Sequence, residues 1–440
     1  MISSGIDSAF AVGVTIYTIL DLAAYKENEL PVIQYMSFVF TINFLFVPFI
    51  LYRFGINDYI PGIYQLRIDQ ASLFSYLIPC MLALIVGLNL FKAKQYQIVN
   101  IASIKNVIDL NPGLPRNLMI IGVLAYFAHN FVPSSLEYIF FLLANFRFVS
   151  LFLLLLSLKR VPAGYYLLSY GLLIVQMVTT SMFNDFLNLL FFLLFILNIR
   201  YKPSWPIKIG AVIAILVLVN TIQSIKFLLR EQITGAISND FLALSNSLDQ
   251  AEAINADLSF DEKLASNLVR LNEAWVTSSS INFYENNGYE LQNGNHLLVL
   301  LESALLPRFL APDKVSSGDS KLFNTYSGHH VDKGTSIALG APTDGFIDWG
   351  YFGWIFMFFY GLIFNLCLRF IYNRAKVFPL LIGFIPIIFY YAVRPDCETQ
   401  TTLANIFKTT LCVYGFLLLY NRWHSIKIGK KLILKKVLNS

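Results

Sequence analysis

The sequence has few charged residues for its length. Only 13% of its 440 residues are Asp, Glu, Lys or Arg, whereas 56% are hydrophobic, and the mean hydropathy is +0.61. A soluble core cannot use that much apolar surface, which excludes an ordinary soluble protein. The four cysteines show no Cys-x-x-Cys spacing and predict neither a disulfide framework nor a zinc site. There is also no Gly-rich phosphate loop and no repeat of fixed period, so we expect no metal, no cofactor and no ATP-driven transport within this chain.

Long apolar runs are what the chain has in abundance. A run of about 17 to 25 apolar residues can cross a bilayer as a helix. The chain has about eleven, which predicts an all-α polytopic integral membrane protein. Their centres lie near Thr15, Asn43, Leu84, Leu124, Leu151, Leu173, Phe192, Leu216, Phe358, Ile385 and Val413. The predicted organisation is a transmembrane bundle over 1–226, a large external loop over 227–348, further spans over 349–420 and a basic tail over 421–440.

Lys and Arg in the short connections predict the orientation. Nineteen of these cations fall on one side of the predicted topology, against three (Arg53, Arg67 and Arg394) on the other. The richer side is cytosolic by the positive-inside rule, so the N-terminus and the large loop face outward. The net charge of +5 arises from the cytosolic segments, which meet anionic lipid, and does not predict nucleic-acid binding. Because no basic segment precedes the first apolar run, we expect the first span to be retained.

The external loop is where we expect the chemistry, because long loops outside a membrane usually bind something. The segment Ser259-Phe-Asp-Glu262 is a capping box, and an apolar stripe at helical spacing follows it, which predicts an amphipathic helix. Beyond Asn286 the frequent Gly and Pro predict irregular chain. The stripe consists of Leu264, Leu268, Leu271 and Trp275.

Cations are scarce in this loop, which carries sixteen acidic and seven basic residues. Four of the seven stand near span ends or in apolar, Pro-bounded sequence, where a merely solvated charge is least expected, and they are candidate anion ligands. Lys226 and Arg230, at i and i+4, could equally anchor the end of the eighth span. The four candidates are Arg230, Arg270, Arg308 and Lys314.

Other candidates also have a structural alternative. Arg308 and Lys314 could be interfacial anchors that extend to lipid headgroups. Arg270 could form an ordinary exposed ion pair with Glu273. Arg147 lies inside the fifth predicted span, where a charge is costly, so we expect it to bind substrate or to be paired.

Two acidic residues and two histidines complete the candidates. Asp344 and Asp348, at i and i+4 beside the ninth span, are either substrate contacts or favourable acids at a helix N-terminus. The adjacent pair His329 and His330 could provide a general base, a metal ligand or a turn; a proton acceptor is favoured, because no third metal ligand has suitable spacing.

The segment Leu306-Pro-Arg-Phe-Leu-Ala-Pro-Asp-Lys314 resembles the Pro-Arg-Phe-x-x-Pro-x-Lys segment of the bacterial O-antigen and oligosaccharide repeat-unit polymerases, the Wzy-type family. Two further features are similar to that family. The run from Gly340 to Gly353 is like the small and aromatic segment with which these proteins re-enter the membrane, and Lys226-x-x-x-Arg230 stands at a span exit. Together these features cover about a third of the chain.

The resemblance implies a GT-C-like membrane glycosyltransferase of the bacterial inner membrane. It would transfer a growing glycan from undecaprenyl diphosphate to a sugar hydroxyl of the next lipid-linked unit, with a chain-length regulator as a further partner. Arg308 and Lys314 would neutralise the departing diphosphate without metal. The proton acceptor would be His330, Asp344 or Glu273, of which we rank His330 first because imidazole titrates near neutral pH.

Two other classes share this architecture. A flippase or transporter for the same lipid-linked sugar would show pseudo-repeated halves and short loops, and this chain has neither. A ligase that moves glycan from the same carrier to another acceptor would need almost the same chemistry, so the sequence leaves it open.

Overall fold

The structure is a computed structural model, and it describes residues 2–26, 28–60, 62–90, 98–180, 184–208, 210–211, 214, 265, 268–269, 271–306, 314–315, 318, 320–332 and 337–424. Across these ranges the chain is helical, and the one pairing of extended backbone is a bridge between Glu29 and Ile98. The all-α prediction is therefore confirmed for this part of the chain.

The bounds of the helices follow in chain order. The first part of the chain has α-helices Ile2–Ala23, Val32–Thr41, Val47–Arg53, Gln70–Asn89, Ile101–Leu110, Leu114–Ala128, Ser134–Ala144, Phe146–Leu156, Ala163–Tyr166, Leu172–Thr180 and Asn184–Tyr201. The second part has Ala274–Asn287, Asn295–Leu305, Ser320–Ser327, Ala341–Trp349, Trp354–Ala375, Ile385–Ile388 and Thr399–His424. Short π-helical turns occur at Ile42–Phe46 and Leu167–Gly171, and 3-10 turns at Ile56–Tyr59, Gly62–Tyr64, His129–Phe131, Gly350–Gly353 and Pro379–Phe384.

Seven stretches of helix among the described residues are long and apolar enough to cross a membrane, which confirms the multi-pass prediction. Each contains the centre of one predicted span. Three more predicted centres, Leu124, Leu173 and Ile385, lie in shorter apolar helices, and Leu216 lies outside the described residues. The seven stretches are Gly5–Ala23, Val32–Arg53, Gln70–Asn89, Leu136–Leu156, Asn184–Tyr201, Ala341–Ala375 and Thr399–Arg422.

Helices Gln70–Asn89 and Trp354–Ala375, here the glycine-packed pair, meet backbone to backbone. A Cβ added at Gly361 would lie 2.5 Å from the carbonyl oxygen of Leu84, and one added at Gly87 would overlap the backbone of the other helix. Small residues let apolar helices approach this closely in a membrane. The helices described next are connected to this pair or pack beside it.

Helix Ala341–Trp349, here the carboxylate helix, leads into the glycine-packed pair through a tight 3-10 turn. A Cβ added at Gly345 would lie 2.8 Å from the carbonyl oxygen of Gly353, so the chain can fold back only because both positions are glycine. The hydroxyl of Tyr76 donates a hydrogen bond to the carbonyl oxygen of Pro342. The small-residue run noted in the sequence thus allows a close fold of the backbone beside the first helix of the pair.

The predicted amphipathic helix through Trp275 is not continuous. Leu271 and Glu273 lie in turns, and Trp275 belongs to a new helix, Ala274–Asn287, here called the serine helix. The ring of Trp275 packs against Phe323, with the ring centroids 5.6 Å apart, so tertiary packing overrides the local periodicity. The capping box and Leu264 lie outside the described residues.

The Gly- and Pro-rich run after Asn286 was predicted to be irregular, and this prediction is wrong for much of it. Three short helices occupy the run, and glycines in left-handed conformation separate them. Gly288, with φ of 61°, ends the serine helix, and Gly294, with φ of 93°, precedes the next helix. Glycine adopts this conformation at little cost, so the turn signals mark helix boundaries here.

Candidate functional site

The side chains of His296 and Asp344 form a buried pair. Nε2 of His296 lies 2.8 Å from Oδ1 of Asp344, and both side chains are at most 3% exposed. The distance is that of a hydrogen bond, which joins the imidazole to the carboxyl group. The ring of Tyr326 packs edge-on against the imidazole at a centroid distance of 4.9 Å. A carboxylate oriented in this way is a fixed proton acceptor.

Asp348, one turn after Asp344, fixes the backbone that carries His296. Its Oδ1 accepts hydrogen bonds from the N–H groups of Gly294 at 2.8 Å and His296 at 3.2 Å, and its Oδ2 accepts one from Leu297 at 2.6 Å. These N–H groups start helix Asn295–Leu305, here the His296 helix, and have no partner within that helix. Both oxygens of Asp348 therefore bind backbone, and the residue positions His296. Of the two alternatives left open by the sequence, this contact resembles an acid at a helix N-terminus, although the helix is a different one from that expected.

Lys314 binds the other end of the His296 helix. Its ammonium group donates hydrogen bonds to the carbonyl oxygens of Ser303 at 3.0 Å and Leu306 at 3.3 Å. A cation near the last carbonyls of a helix stabilises it through the helix dipole. The structure thus gives Lys314 a positioning role, in addition to the anion-binding role expected from sequence.

A small cavity lies next to Asp344. Its volume is about 10 Å³, enough for one water-sized group. Glu398 on its wall accepts hydrogen bonds from the N–H of Gly318 and from the hydroxyl of Thr401, each at 2.7 Å. The cavity therefore connects the candidate base with the start of the last long helix. It is lined by Leu322, Ile337, Leu339, Asp344, Glu398 and Gln400.

Comparison of the chain with protein-family models, with curated proteins and with solved structures found no match. The interpretation of the site therefore rests on its own chemistry. That chemistry is a buried carboxylate–imidazole pair beside a small cavity with both polar and apolar walls, in a multi-pass membrane protein. Among the described residues, no group of three or more His, Cys, Asp or Glu side chains is placed to hold a metal ion.

The serine helix supplies a second buried polar surface beside the carboxylate helix. The hydroxyl oxygens of Thr277 and Thr343 are 2.9 Å apart, and Oγ of Ser278 accepts a hydrogen bond from the N–H of Arg67 at 2.6 Å. All four residues of the run Thr277–Ser280 are buried. Sequence reasoning missed this surface, although four consecutive hydroxyl residues inside a helix were a usable signal.

The two adjacent histidines differ in their surroundings. The ring of His329 stacks on Phe323 with an interplanar angle of 11°, and its Nε2 lies 3.2 Å from Oγ of Ser279. Burial lowers the pKa of His329, and the nearby charge of Arg67 lowers it further. His330 is exposed and is not part of the buried pair, so the structure does not bring this first-ranked base together with Asp344.

Arg147 is paired through aromatic rings. It is 2% exposed, and its guanidinium carbon lies 4.5 Å from the ring centroid of Tyr126 and 4.7 Å from that of Phe148. One guanidinium nitrogen also donates a hydrogen bond to the carbonyl oxygen of Ala144 at 3.1 Å. Cation–π contacts and a carbonyl are typical partners for a buried arginine, so these contacts satisfy the expectation that it would be paired.

The remaining candidates divide into described and undescribed residues. Glu273 is half-buried, directly before the serine helix. The other four lie outside the described residues: Lys226, Arg230, Arg270 and Arg308.

A second charged cluster was not anticipated. Arg394 donates hydrogen bonds to Asp185 at 2.7 Å and to Asp396 at 3.0 Å, and Asn184 donates one to Asp396 at 2.8 Å. Arg394 and Asp396 are near neighbours in sequence, whereas Asp185 and Asn184 lie about 210 positions away, so no local pattern indicates the cluster as a whole. The cluster fastens the start of helix Asn184–Tyr201 to the segment before the last long helix.

Proposed function

We propose that this protein polymerises oligosaccharide repeat units carried on undecaprenyl diphosphate into a surface polysaccharide. The observation that carries the proposal is the buried Asp344–His296 pair beside a small cavity that Glu398 and Gln400 also line. Such a pair supplies an oriented proton acceptor in a multi-pass membrane protein, and a membrane is where lipid-linked sugars are handled. We also propose that the protein has a GT-C-like arrangement of about eleven spans and lies in the bacterial inner membrane.

The reaction uses Asp344 as the proton acceptor. A hydroxyl oxygen of the next lipid-linked unit attacks the anomeric carbon of the growing glycan, and a new C–O bond forms. The bond from that carbon to the diphosphate oxygen breaks, and undecaprenyl diphosphate leaves with the electron pair. Asp344 takes the hydroxyl proton, and His296 holds the carboxylate in place.

Cations stabilise the leaving diphosphate in this proposal. Arg308 presents a planar fork that matches two phosphate oxygens. Lys314 has three N–H donors, of which two reach carbonyl oxygens of the His296 helix, so it holds that helix while facing an anion. Lys226, Arg230 and Arg270 are proposed as further contacts to the lipid-linked substrate.

The test is reconstitution of the purified protein with lipid-linked repeat units extracted from the membranes of its source. The wild type should give a ladder of products that grow by one repeat unit. Asp344→Asn keeps the shape of the side chain but removes the base, so its rate should fall by about 10²- to 10⁴-fold. A matched control is Asp332→Asn, which makes the same change at an exposed position.

Each alternative class gives a different product in the same assay. A ligase would transfer glycan once to a different acceptor and give one new band. A flippase would move the lipid-linked unit across the vesicle membrane and form no glycosidic bond. Either result, with no ladder, would overturn the polymerase proposal.

The proposed orientation has its own experiment. Single-cysteine variants at Asp332 and Lys376, both exposed, can be labelled in intact cells after the four native cysteines are replaced. The cysteine at position 332 should react with an impermeant thiol reagent, and the one at 376 should react only after the cells are opened. The reverse pattern would place the site in the cytosol and exclude externally presented substrates.

A further inference from the structure

The cavity beside Asp344 contains an unused hydrogen-bond donor. The side chain of Gln400 is 5% exposed and lines the cavity, and its Nε2 has no hydrogen-bond partner among the described residues. A buried polar group without a partner is destabilising, and among the described residues Nε2 of Gln400 is the one such atom on a side chain that lines this cavity. Gln400 is therefore the side chain of this cavity that is available to donate a hydrogen bond to a ligand.

The walls of the cavity specify what that group is. The amide of Gln400 donates hydrogen bonds, whereas the carboxylate of Asp344 accepts them. A group between them must accept from one side and donate to the other, as a hydroxyl does. The volume of about 10 Å³ admits one such group but not a sugar ring. Leu322, Ile337 and Leu339 line the rest of the wall and offer no hydrogen-bonding side chain.

We propose that the cavity binds the attacking hydroxyl of the acceptor sugar, with Gln400 as the positioning residue. Nε2 of Gln400 donates a hydrogen bond to the hydroxyl oxygen, which turns the O–H bond towards Asp344. Both oxygens of Glu398, the other carboxylate on the wall, already accept hydrogen bonds from Gly318 and Thr401. This inference rests on the proposed function, since it names the acceptor group of that same site.

The proposal predicts that replacing Gln400 lowers activity without lowering stability. Gln400→Met keeps the length of the side chain and removes a buried polar group that has no protein partner. The variant should therefore unfold at the same temperature as the wild type or higher. Its kcat/KM for the acceptor should fall by about 10- to 100-fold, because the hydroxyl loses its orientation. Gln400→Glu replaces the donor with an acceptor and should not restore the rate.

Gln34→Met is the matched control. Gln34 is another buried glutamine, 3% exposed, with an unpartnered amide oxygen in helix Val32–Thr41, and it does not line the cavity. This variant should polymerise at the wild-type rate. Normal kcat/KM for Gln400→Met would overturn the inference, and so would a lower unfolding temperature with normal kinetics, which would indicate a structural water only.

A binding measurement separates this inference from the proposed function. The lipid-linked repeat unit should raise the unfolding temperature of the wild type and raise that of Gln400→Met much less. If the wild type makes no ladder but the shift depends on Gln400, the polymerase proposal fails and the hydroxyl site remains. Equal shifts in both proteins would overturn the hydroxyl site, whatever the activity.

Discussion

Asp348 and Lys314 bind opposite ends of one helix. The carboxylate of Asp348 accepts hydrogen bonds from N–H groups at the start of the His296 helix. The ammonium group of Lys314 donates hydrogen bonds to carbonyl oxygens at the end of that helix. Each charge has the sign that the helix dipole favours. The position of His296 is thus set by two residues for which the sequence left both a substrate-binding and a structural role open.

Replacing Asp348 should loosen the His296 helix. Asp348→Asn removes the negative charge and one of the two acceptor oxygens, so the free energy of unfolding should fall by about 2 kcal/mol. Unfolding in mixed micelles measures this value. Asp332→Asn is the control and should change it little, because Asp332 is exposed. Unchanged stability in Asp348→Asn would mean that the cap contributes nothing.

Two histidine variants should identify the side chain that supports the base. His296→Phe keeps a ring against Tyr326 but removes the N–H that holds Asp344, and it should polymerise about 10²-fold more slowly. His296→Gln retains a donor and should recover part of the rate. His330→Ala should polymerise normally, because His330 is exposed and apart from the pair. Loss of the ladder in His330→Ala alone would return the role of base to His330.

Arg308 should not tolerate lysine. If its guanidinium binds the diphosphate through two parallel hydrogen bonds, an ammonium cannot reproduce the fork. Arg308→Lys should then lose nearly as much rate as Arg308→Ala, about 10²- to 10³-fold, while both variants insert normally. Initial rates of ladder formation measure the loss. Arg53→Lys, at an exposed helix end, is the control, and normal rates in Arg308→Ala would rule the role out.

The glycine-packed pair should not accept a methyl group. In Gly361→Ala the new Cβ would meet the backbone oxygen of Leu84, which cannot rotate away, so we expect a loss of about 1–3 kcal/mol in unfolding free energy. Gly415→Ala is the matched control in another long apolar helix, because nothing lies within 4 Å of its added Cβ. Equal thermal stability of the two variants would contradict the close contact.

Acid should destabilise the protein partly through His329. Its pKa is lowered in the folded state, so the unfolded chain binds a proton more readily. The stability associated with the neutral ring is present above the ordinary histidine pKa of about 6.5 and is lost as the pH falls below it. His329→Phe keeps the stack on Phe323, and its unfolding temperature should depend less on pH between 7.5 and 5.5. Identical pH dependence in the variant and the wild type would exclude this effect.

Hydropathy and charge predicted the membrane class well, because lipid imposes a long apolar run on every spanning helix. The centres of seven predicted runs lie in seven helices of spanning length. His296 was missed because its partner is 48 positions away and only tertiary packing joins them. Asp344 was found because it stands next to a recognisable span. The contact of Asp348 with the start of the His296 helix was not predicted, because a carboxylate that caps a distant helix has no local signature.

Asp344 and His296 are connected to the glycine-packed pair in different ways. Asp344 is carried on the carboxylate helix, which is continuous in sequence with one member of the pair through the turn at Gly353. His296 belongs to a short helix that reaches this frame through side-chain hydrogen bonds. The carboxylate and the imidazole therefore come from separate segments of the chain: Asp344 lies on a helix joined to the glycine-packed pair, and His296 lies on a short helix that also packs against the last long helix. Substitutions in the His296 helix should therefore change the surroundings of Asp344 while the packing of the two membrane helices stays the same.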